Sequence, residues 1–148
     1  MKKSLLLLAS LLVLIAATSS AFAQSTHRDH PTPLTSNEIK GELNGSEIEY
    51  FFSFTAGPGE VTITVDVKSS DGTTGANFEL LDSDANKQLI CCEYAQADST
   101  GTTGRDIKSI KLGERQTVVL HLTPFKYGHG TYRVRLSGAV ALGEHGQR

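Results

Sequence analysis

The sequence predicts an all-β fold, an antiparallel β-sandwich that is jelly-roll-like. Short segments alternate apolar and polar residues with a period of two, which places successive side chains on opposite faces of a strand. Turn-forming residues separate these segments. After the first 23 residues, no segment sustains the 3.6-residue period of an amphipathic helix. We therefore expect each strand to have one buried and one solvated face.

Residues 1–23 have the pattern of a secretory signal peptide. Lys2 and Lys3 precede an apolar run over residues 5–17. Ala21 and Ala23 are small residues at the two positions that a signal peptidase recognises before its cleavage site. The run is shorter than the ~20 residues that span a bilayer, so an uncleaved membrane anchor is the weaker interpretation. We expect cleavage before Gln24, a secreted or periplasmic protein, and no membrane contact afterwards.

Composition limits what the remaining residues can do. Removing Lys2 and Lys3 from the 14 basic side chains leaves 12 against 16 acidic ones, a formal charge of −4. This charge and the lack of a basic stripe argue against nucleic acid as a partner. Residues 24–148 are enough for one domain with its own core. Two cysteines are too few for a disulfide scaffold, although export favours disulfides.

The chain then divides into three parts. Residues 24–38 are polar with two prolines and are predicted to be a flexible lead-in, in which His27 and His30 are solvated. Residues 39–138 form the predicted sandwich, and residues 139–148 a fraying tail. Five segments of the sandwich alternate clearly, and a further strand is expected near residues 107–112. The residues predicted to face the core are Ile48, Tyr50, Phe52, Phe54, Val61, Ile63, Val65, Val67, Phe78, Leu80, Val118, Leu120, Leu122, Tyr132, Val134 and Leu136.

Three stretches carry a resemblance to a known family. They read GELNGSEIEYFFSFTAGPGEVTITV, FELLDSDANKQL and GTYRVRLSG, and together they cover roughly residues 40–138. The chain resembles the bacterial pre-peptidase C-terminal domain, which opens with a Gly-x-Leu-x-Gly stretch and closes with Gly-Thr-Tyr. The resemblance implies a jelly-roll-like sandwich that binds substrate or matrix beside a secreted peptidase. Ala76 and Asn77 stand where that family carries an acidic residue, which weakens the case for calcium.

One turn offers a candidate calcium site. Asp82, Asp84 and Asn86 alternate, and Glu93 follows Asp82 by eleven residues, which is the ligand spacing of an EF-hand loop. Lys87 stands where that loop needs glycine. A polar hairpin turn also accounts for these residues. No other cofactor is predicted, and calcium binding would raise the melting temperature.

Two loops are candidate binding surfaces. Residues 95–104 are the longest irregular stretch, and hydroxyls such as those of Ser99 and Thr100 could bond a sugar or a peptide. A flexible solvent loop is the alternative. The second loop carries Phe125, Tyr127 and His129, which either grip a polymer or fold back as a lid on the sandwich.

Two outward arginines form the last candidate site. Arg133 and Arg135 alternate with apolar residues near the end of the predicted sandwich. They keep a strand face soluble, and cross-strand pairs with Glu47 and Glu49 are expected. An anionic ligand is the alternative interpretation.

Cys91 and Cys92 are adjacent on a predicted strand. Alternation groups Ile90, Cys92 and Tyr94 on the inner face and leaves Cys91 outside. Four interpretations stay open: Cys92 packed with Cys91 free, a disulfide between the two, a bridge from Cys91 to another chain, and metal or redox chemistry. A disulfide between neighbours would require a turn or bulge, because adjacent Cα atoms lie only ~3.8 Å apart.

The sequence carries no pattern of a catalytic site. We find no Gly-x-Ser-x-Gly elbow, no His-Glu-x-x-His pair and no phosphate-binding glycine loop. The favoured function is a secreted, non-enzymatic binding or accessory module that contacts a polysaccharide, a matrix protein or a secreted partner. A partner or chaperone-like subunit of a separate secreted peptidase is the alternative. A small hydrolase with a scattered site is the third hypothesis.

Overall fold

The computed structural model describes residues 24–98 and 102–143. The predicted signal peptide, Ser99, Thr100 and residues 144–148 lie outside these ranges. The regular structure in the described ranges is all β. The strands are β1 Thr32–Pro33, β2 Glu38–Asn44, β3 Tyr50–Ser69, β4 Thr74–Asp82, β5 Gln88–Ala97, β6 Thr103–Leu112, β7 Gln116–Pro124 and β8 His129–Ala141. In the described part of the chain, no helix is long and apolar enough to cross a membrane.

The long strand β3 takes part in two layers. Its first part, Tyr50 to Ala56, pairs with β7, whereas the part from Gly59 onward pairs with β6 and β8. The β3–β8 register shifts between Ala56 and Val61, where Gly57 and Gly59 have positive φ. The front sheet therefore has the order β2-β8-β3-β6, and the back sheet the order β3-β7-β4-β5. All named pairings are antiparallel except that of β1 with β3, so the predicted fold class is confirmed.

The core between the two sheets follows the predicted alternation. Val61, Ile63 and Val65 of the front sheet and Leu80 and Leu120 of the back sheet are all fully buried in one cluster. Ile48 differs from the prediction, because it precedes β3 and is 40% exposed. Each buried strand face contributes its apolar side chains to the hydrophobic stabilisation of the sandwich.

The lead-in segment pairs with the first part of β3, at the edge of the back sheet. Ser25 forms a bridge with Phe51, β1 pairs with β3, and Leu34 donates its N–H to the carbonyl of Ser53. Phe51 points away from the main core yet is only 4% exposed, since it packs in a second cluster with Leu81, Ala85 and Val119. The lead-in segment is thus attached to β3 by backbone hydrogen bonds, which alternation alone did not reveal.

Parts of two segments that were predicted to be irregular are strand in the structure. Strand β8 continues through Ala141, because Thr55 and Ala56 at the first part of β3 pair with its end. Of the expected loop over residues 95–104, residues 95–97 belong to β5 and residues 103–104 to β6.

Candidate functional site

A cleft of ≈ 850 Å³ crosses the outer face of the front sheet. All four strands of that sheet contribute to it, so its walls belong to paired backbone rather than to loops. Residues that alternate with the core side chains point into it. Its charged and hydroxyl-bearing side chains are those of Lys40, Glu42, Asp66, Lys68, Thr103, Arg105, Thr131, Arg133 and Arg135, together with the buried Tyr132.

Strand register sets four of these residues in one row. Lys40 of β2 lies opposite Arg133 of β8, which lies opposite Asp66 of β3, which lies opposite Arg105 of β6. Neighbouring strands are ~4.8 Å apart, so the row spans roughly 14 Å. Residues far apart in sequence thus form a continuous charged line across the sheet.

Asp66 holds two arginines from opposite sides. Arg105 donates from Nε to one carboxylate oxygen at 2.5 Å, and Arg135 donates from Nη2 to the other at 2.7 Å. Burial by itself raises the pKa of Asp66, but the hydrogen bonds from Arg105 and Arg135 outweigh it and lower that pKa below its usual value. Asp66 is therefore ionised at neutral pH and positions both guanidinium groups.

Glu38 plays a similar part at the edge strand β2. Its Oε1 lies 2.5 Å from Lys40 Nζ and 3.9 Å from Arg133 Nε. The hydrogen bond from Lys40 lowers the pKa of Glu38. The two carboxylates, Glu38 and Asp66, thus each lie between two cations.

The next row of the cleft is less constrained. Glu42, Thr131, Lys68 and Thr103 lie opposite one another on β2, β8, β3 and β6. All four are exposed. Within the described part of the chain, neither Glu42 nor Lys68 forms an ion pair. This row offers a free carboxylate, a free ammonium group and two hydroxyls to a ligand.

The cleft is cationic although the chain is acidic. Five of the 14 basic side chains line it, against two of the 16 acidic ones, which gives a formal charge of +3. Glu38 at the border reduces this to +2. Clefts lined by one sign of charge concentrate ions of the opposite sign.

The sequence identified Arg133 and Arg135 but not their partners. Their predicted pairing with Glu47 and Glu49 does not occur, because the segment of β2 that lies beside β8 begins at Glu38 and ends at Asn44. Glu47 instead lies 3.9 Å from Lys126 Nζ, and Glu49 lies 3.7 Å from His121 Nε2. Lys40, Lys68 and Arg105 were missed, since only strand register shows that they join the arginines.

The structure does not bring the aromatic loop residues together. Phe125 is half-buried over Gly75, with its ring 6.5 Å from that of Tyr94. Tyr127 is 76% exposed. His129 Nδ1 lies 2.8 Å from Asp71 Oδ2, and this hydrogen bond lowers the pKa of Asp71. Only Phe125 takes the position of a lid.

The candidate calcium ligands do not converge either. One carboxylate oxygen of Asp82 accepts hydrogen bonds from the backbone N–H groups of Asn86 and Lys87, at 2.9 and 3.2 Å, and these bonds lower its pKa. Glu93 lies five residues after the first residue of β5, roughly 15 Å along that strand, where it pairs with Lys108 at 2.9 Å. Asp84 is exposed in the turn. In the described ranges no three His, Cys, Asp or Glu residues form a metal-binding group. Calcium binding stays a prediction.

Cys91 and Cys92 form a disulfide with each other at a bulge. Leu80 pairs with Ile90 and Phe78 with Glu93, so β5 uses three residues where β4 uses two. The extra residue reverses the alternation. Cys92 has a φ of 60° and is exposed like Cys91, so its predicted inward orientation does not hold.

The outer face of the back sheet also holds a cluster of side chains around His121, whose contacts the sequence did not predict. His121 stacks on Phe51 with ring centroids 4.4 Å apart, and its Nδ1 lies 2.6 Å from Glu79 Oε1. Thr123 contacts the other ring nitrogen at 3.2 Å. His121 is only 16% exposed, so this group consolidates the sheet face.

No protein-family model and no curated protein matches the sequence. Three solved structures illustrate what the chain is similar to. The pre-peptidase C-terminal domain of a collagenase from Bacillus anthracis is 23% identical, with 68% of this chain and 87% of that chain covered and a TM-score of 0.40. Xyl-CBM35, in complex with a glucuronic acid containing disaccharide, is 11% identical, with 70% and 76% covered and a TM-score of 0.46. The C-terminal CBM6 of LamC from Zobellia galactanivorans is 12% identical, with 67% and 99% covered and a TM-score of 0.40.

Proposed function

We propose that this chain is an exported, non-enzymatic binding module of the pre-peptidase C-terminal type that attaches to a macromolecule through the front-sheet cleft. The observation that carries the proposal is the cleft itself, ≈ 850 Å³ in volume and built on four paired strands. A ligand that lies across several strands makes many contacts with a surface whose backbone is already ordered, which lowers the entropic cost of binding.

The chemistry of the cleft supports binding rather than catalysis. Two of its carboxylates, Asp66 and Glu38, are bonded to cations, and the described lining holds no histidine or free thiol beside the unpaired Glu42. A nucleophile needs a base and an orienting group beside it. The lining offers charged groups and hydroxyls for recognition.

Retention on insoluble polymers tests the proposal. Purified protein is mixed with cellulose, chitin, pectin gel, bacterial cell wall and collagen, and the depletion of the supernatant is measured. The variant Thr131→Trp places a large side chain in the cleft without changing charge. Thr117→Trp is the matched control, since Thr117 is an exposed strand residue of the back sheet.

We expect the wild type and Thr117→Trp to be retained on at least one polymer, and Thr131→Trp to remain in the supernatant. Equal retention of both variants would show that the binding surface lies outside the cleft. Recovery from culture medium as a stoichiometric peptidase complex, without retention on any polymer, would contradict the proposal and favour a peptidase subunit.

A further inference from the structure

The arginines of the cleft are held in place with donors to spare. A guanidinium group has five N–H donors. Arg105 uses Nε for Asp66, Arg133 directs Nε toward Glu38, and Arg135 uses Nη2 for Asp66. In the described part of the chain these are the polar contacts that the three side chains make. The paired Nη groups of Arg105 and Arg133 are therefore available to a planar anion.

Such a pair of donors matches a carboxylate. Two parallel N–H···O bonds between a guanidinium and a carboxylate are stronger and more directional than a neutral hydrogen bond. Because Asp66 already orients the side chain of Arg105, less of its freedom is lost when a ligand binds. Arg133 and Arg105 lie two strand spacings apart, roughly 10 Å, so a ligand with regularly repeated anions can reach both.

The neighbouring row argues for a sugar polymer. Glu42 is an unpaired carboxylate beside the hydroxyl of Thr131, and the hydroxyl of Thr103 lies at the other end of the same row. A carboxylate accepts hydrogen bonds from hydroxyl groups and repels other anions. A polymer with both acidic groups and hydroxyls can bind the arginines and also donate hydrogen bonds to Glu42, whereas a purely anionic chain is repelled by Glu42. The described lining of the cleft also has no exposed aromatic ring on which a nucleic-acid base could stack.

We propose that the ligand of the cleft is an acidic polysaccharide, whose anionic groups bind Arg105 and Arg133 and whose hydroxyls bind Glu42 and the threonines. This inference rests on the proposed function and names its substrate class. The exposed Lys68 adds a long-range attraction. Binding must weaken as salt is added, because exposed charges are screened.

Titration calorimetry with defined polymers tests the inference. Polygalacturonate is the acidic probe, and its fully methyl-esterified form has the same backbone without charge. Dextran sulfate replaces carboxylates by sulfates. Polyglutamate and single-stranded DNA are the anionic chains of other classes. The protein variants are Arg133→Gln, Arg133→Lys and Arg105→Gln, with Arg115→Gln as control, since Arg115 is exposed in the turn between β6 and β7.

We expect polygalacturonate or dextran sulfate to bind and the methyl ester not to bind. The tighter of the two acidic polymers identifies the anionic group, and either result supports the inference. Loss of one two-pronged contact in Arg133→Gln or Arg105→Gln should weaken binding about tenfold, which corresponds to about 1.4 kcal/mol. Arg133→Lys keeps the charge but cannot form two parallel hydrogen bonds to one anionic group, so its affinity should lie between those of the wild type and Arg133→Gln. Arg115→Gln should bind like the wild type.

Different results would overturn the acidic ligand, the assignment to sugar and the proposed function. Equal binding of polygalacturonate and its methyl ester, with binding still blocked in Thr131→Trp, would overturn the acidic ligand and leave the proposed function standing. Polyglutamate or DNA binding as tightly as the polysaccharides would overturn the assignment to sugar. No binding to any polymer by a protein with a normal melting transition would overturn both the inference and the proposed function.

Discussion

Replacing Asp66 by asparagine should lower the stability of the front sheet in a pH-dependent way. The substitution Asp66→Asn keeps the shape of the side chain but removes the charge that holds Arg105 and Arg135. Both arginines are about half exposed, at 58% and 44%, so each ion pair is worth only ~0.2–1 kcal/mol. We therefore expect a loss of about 0.4–2 kcal/mol at neutral pH.

The corresponding change in melting temperature follows from the size of the domain. The entropy of unfolding is about 2.1 cal/mol/K per residue, which gives roughly 0.25 kcal/mol/K for a domain of about 120 residues. The melting temperature of Asp66→Asn should thus fall by roughly 2–8 °C at pH 7. Differential scanning calorimetry in low salt measures this shift directly.

The pH dependence separates this mechanism from simple packing loss. The folded-state pKa of Asp66 is lowered, so its stabilisation is fully present above the unfolded-state pKa and is lost as pH falls through the folded-state pKa. The wild type and Asp66→Asn should therefore differ at pH 7 and converge well below pH 4. Glu114→Gln, at an exposed turn, is the control and should melt like the wild type. The same difference at pH 3 as at pH 7, or no difference at pH 7, would show that the charge of Asp66 is not the source of the stabilisation.

Three further predictions concern the core, the front sheet and the cysteines. Phe78→Ala removes a ring that is 1% exposed and should cost about 3–5 kcal/mol, measured by urea denaturation; a cost below 1 kcal/mol would mean that the ring is not buried between the sheets. Gly41→Ala places a Cβ 2.4 Å from the ring of Tyr132 and should destabilise by about 1–3 kcal/mol in the same assay, whereas a neutral effect would show that the ring does not cover this glycine. The disulfide between Cys91 and Cys92 predicts no reactive thiol before reduction and two afterwards in a monomer; a reducible dimer would contradict it.

The predicted alternation reproduced the core because burial of a strand face is a local pattern. Val61, Ile63 and Val65 were assigned correctly from seven consecutive residues, since a strand that packs on one side must alternate. The same pattern located Arg133 and Arg135 on the outer face. Which residues of one strand face which of the next is not local, so the row from Lys40 to Arg105 could not be read before the register was known.

Deviations from regular alternation account for the other differences. The bulge at Cys91 and Cys92 inserts one residue into β5, and every later side chain changes face, which leaves Tyr94 56% exposed. Phe51 is buried on the outer face because it packs against Leu81, Ala85 and Val119 and stacks on His121. A bulge or a cluster on the outer face depends on the whole fold, and a period of two in one segment does not reveal either.

Mapping the bound polymer on the protein by NMR tests whether the ligand lies in the front-sheet cleft. Backbone amide shifts are followed as a short oligosaccharide of the best-binding polymer is added. The largest changes should fall on the exposed residues of the front-sheet cleft, which include Lys40, Lys68, Arg105, Thr131 and Arg133. Changes confined to the loop between β7 and β8, or to the outer face of the back sheet, would contradict it.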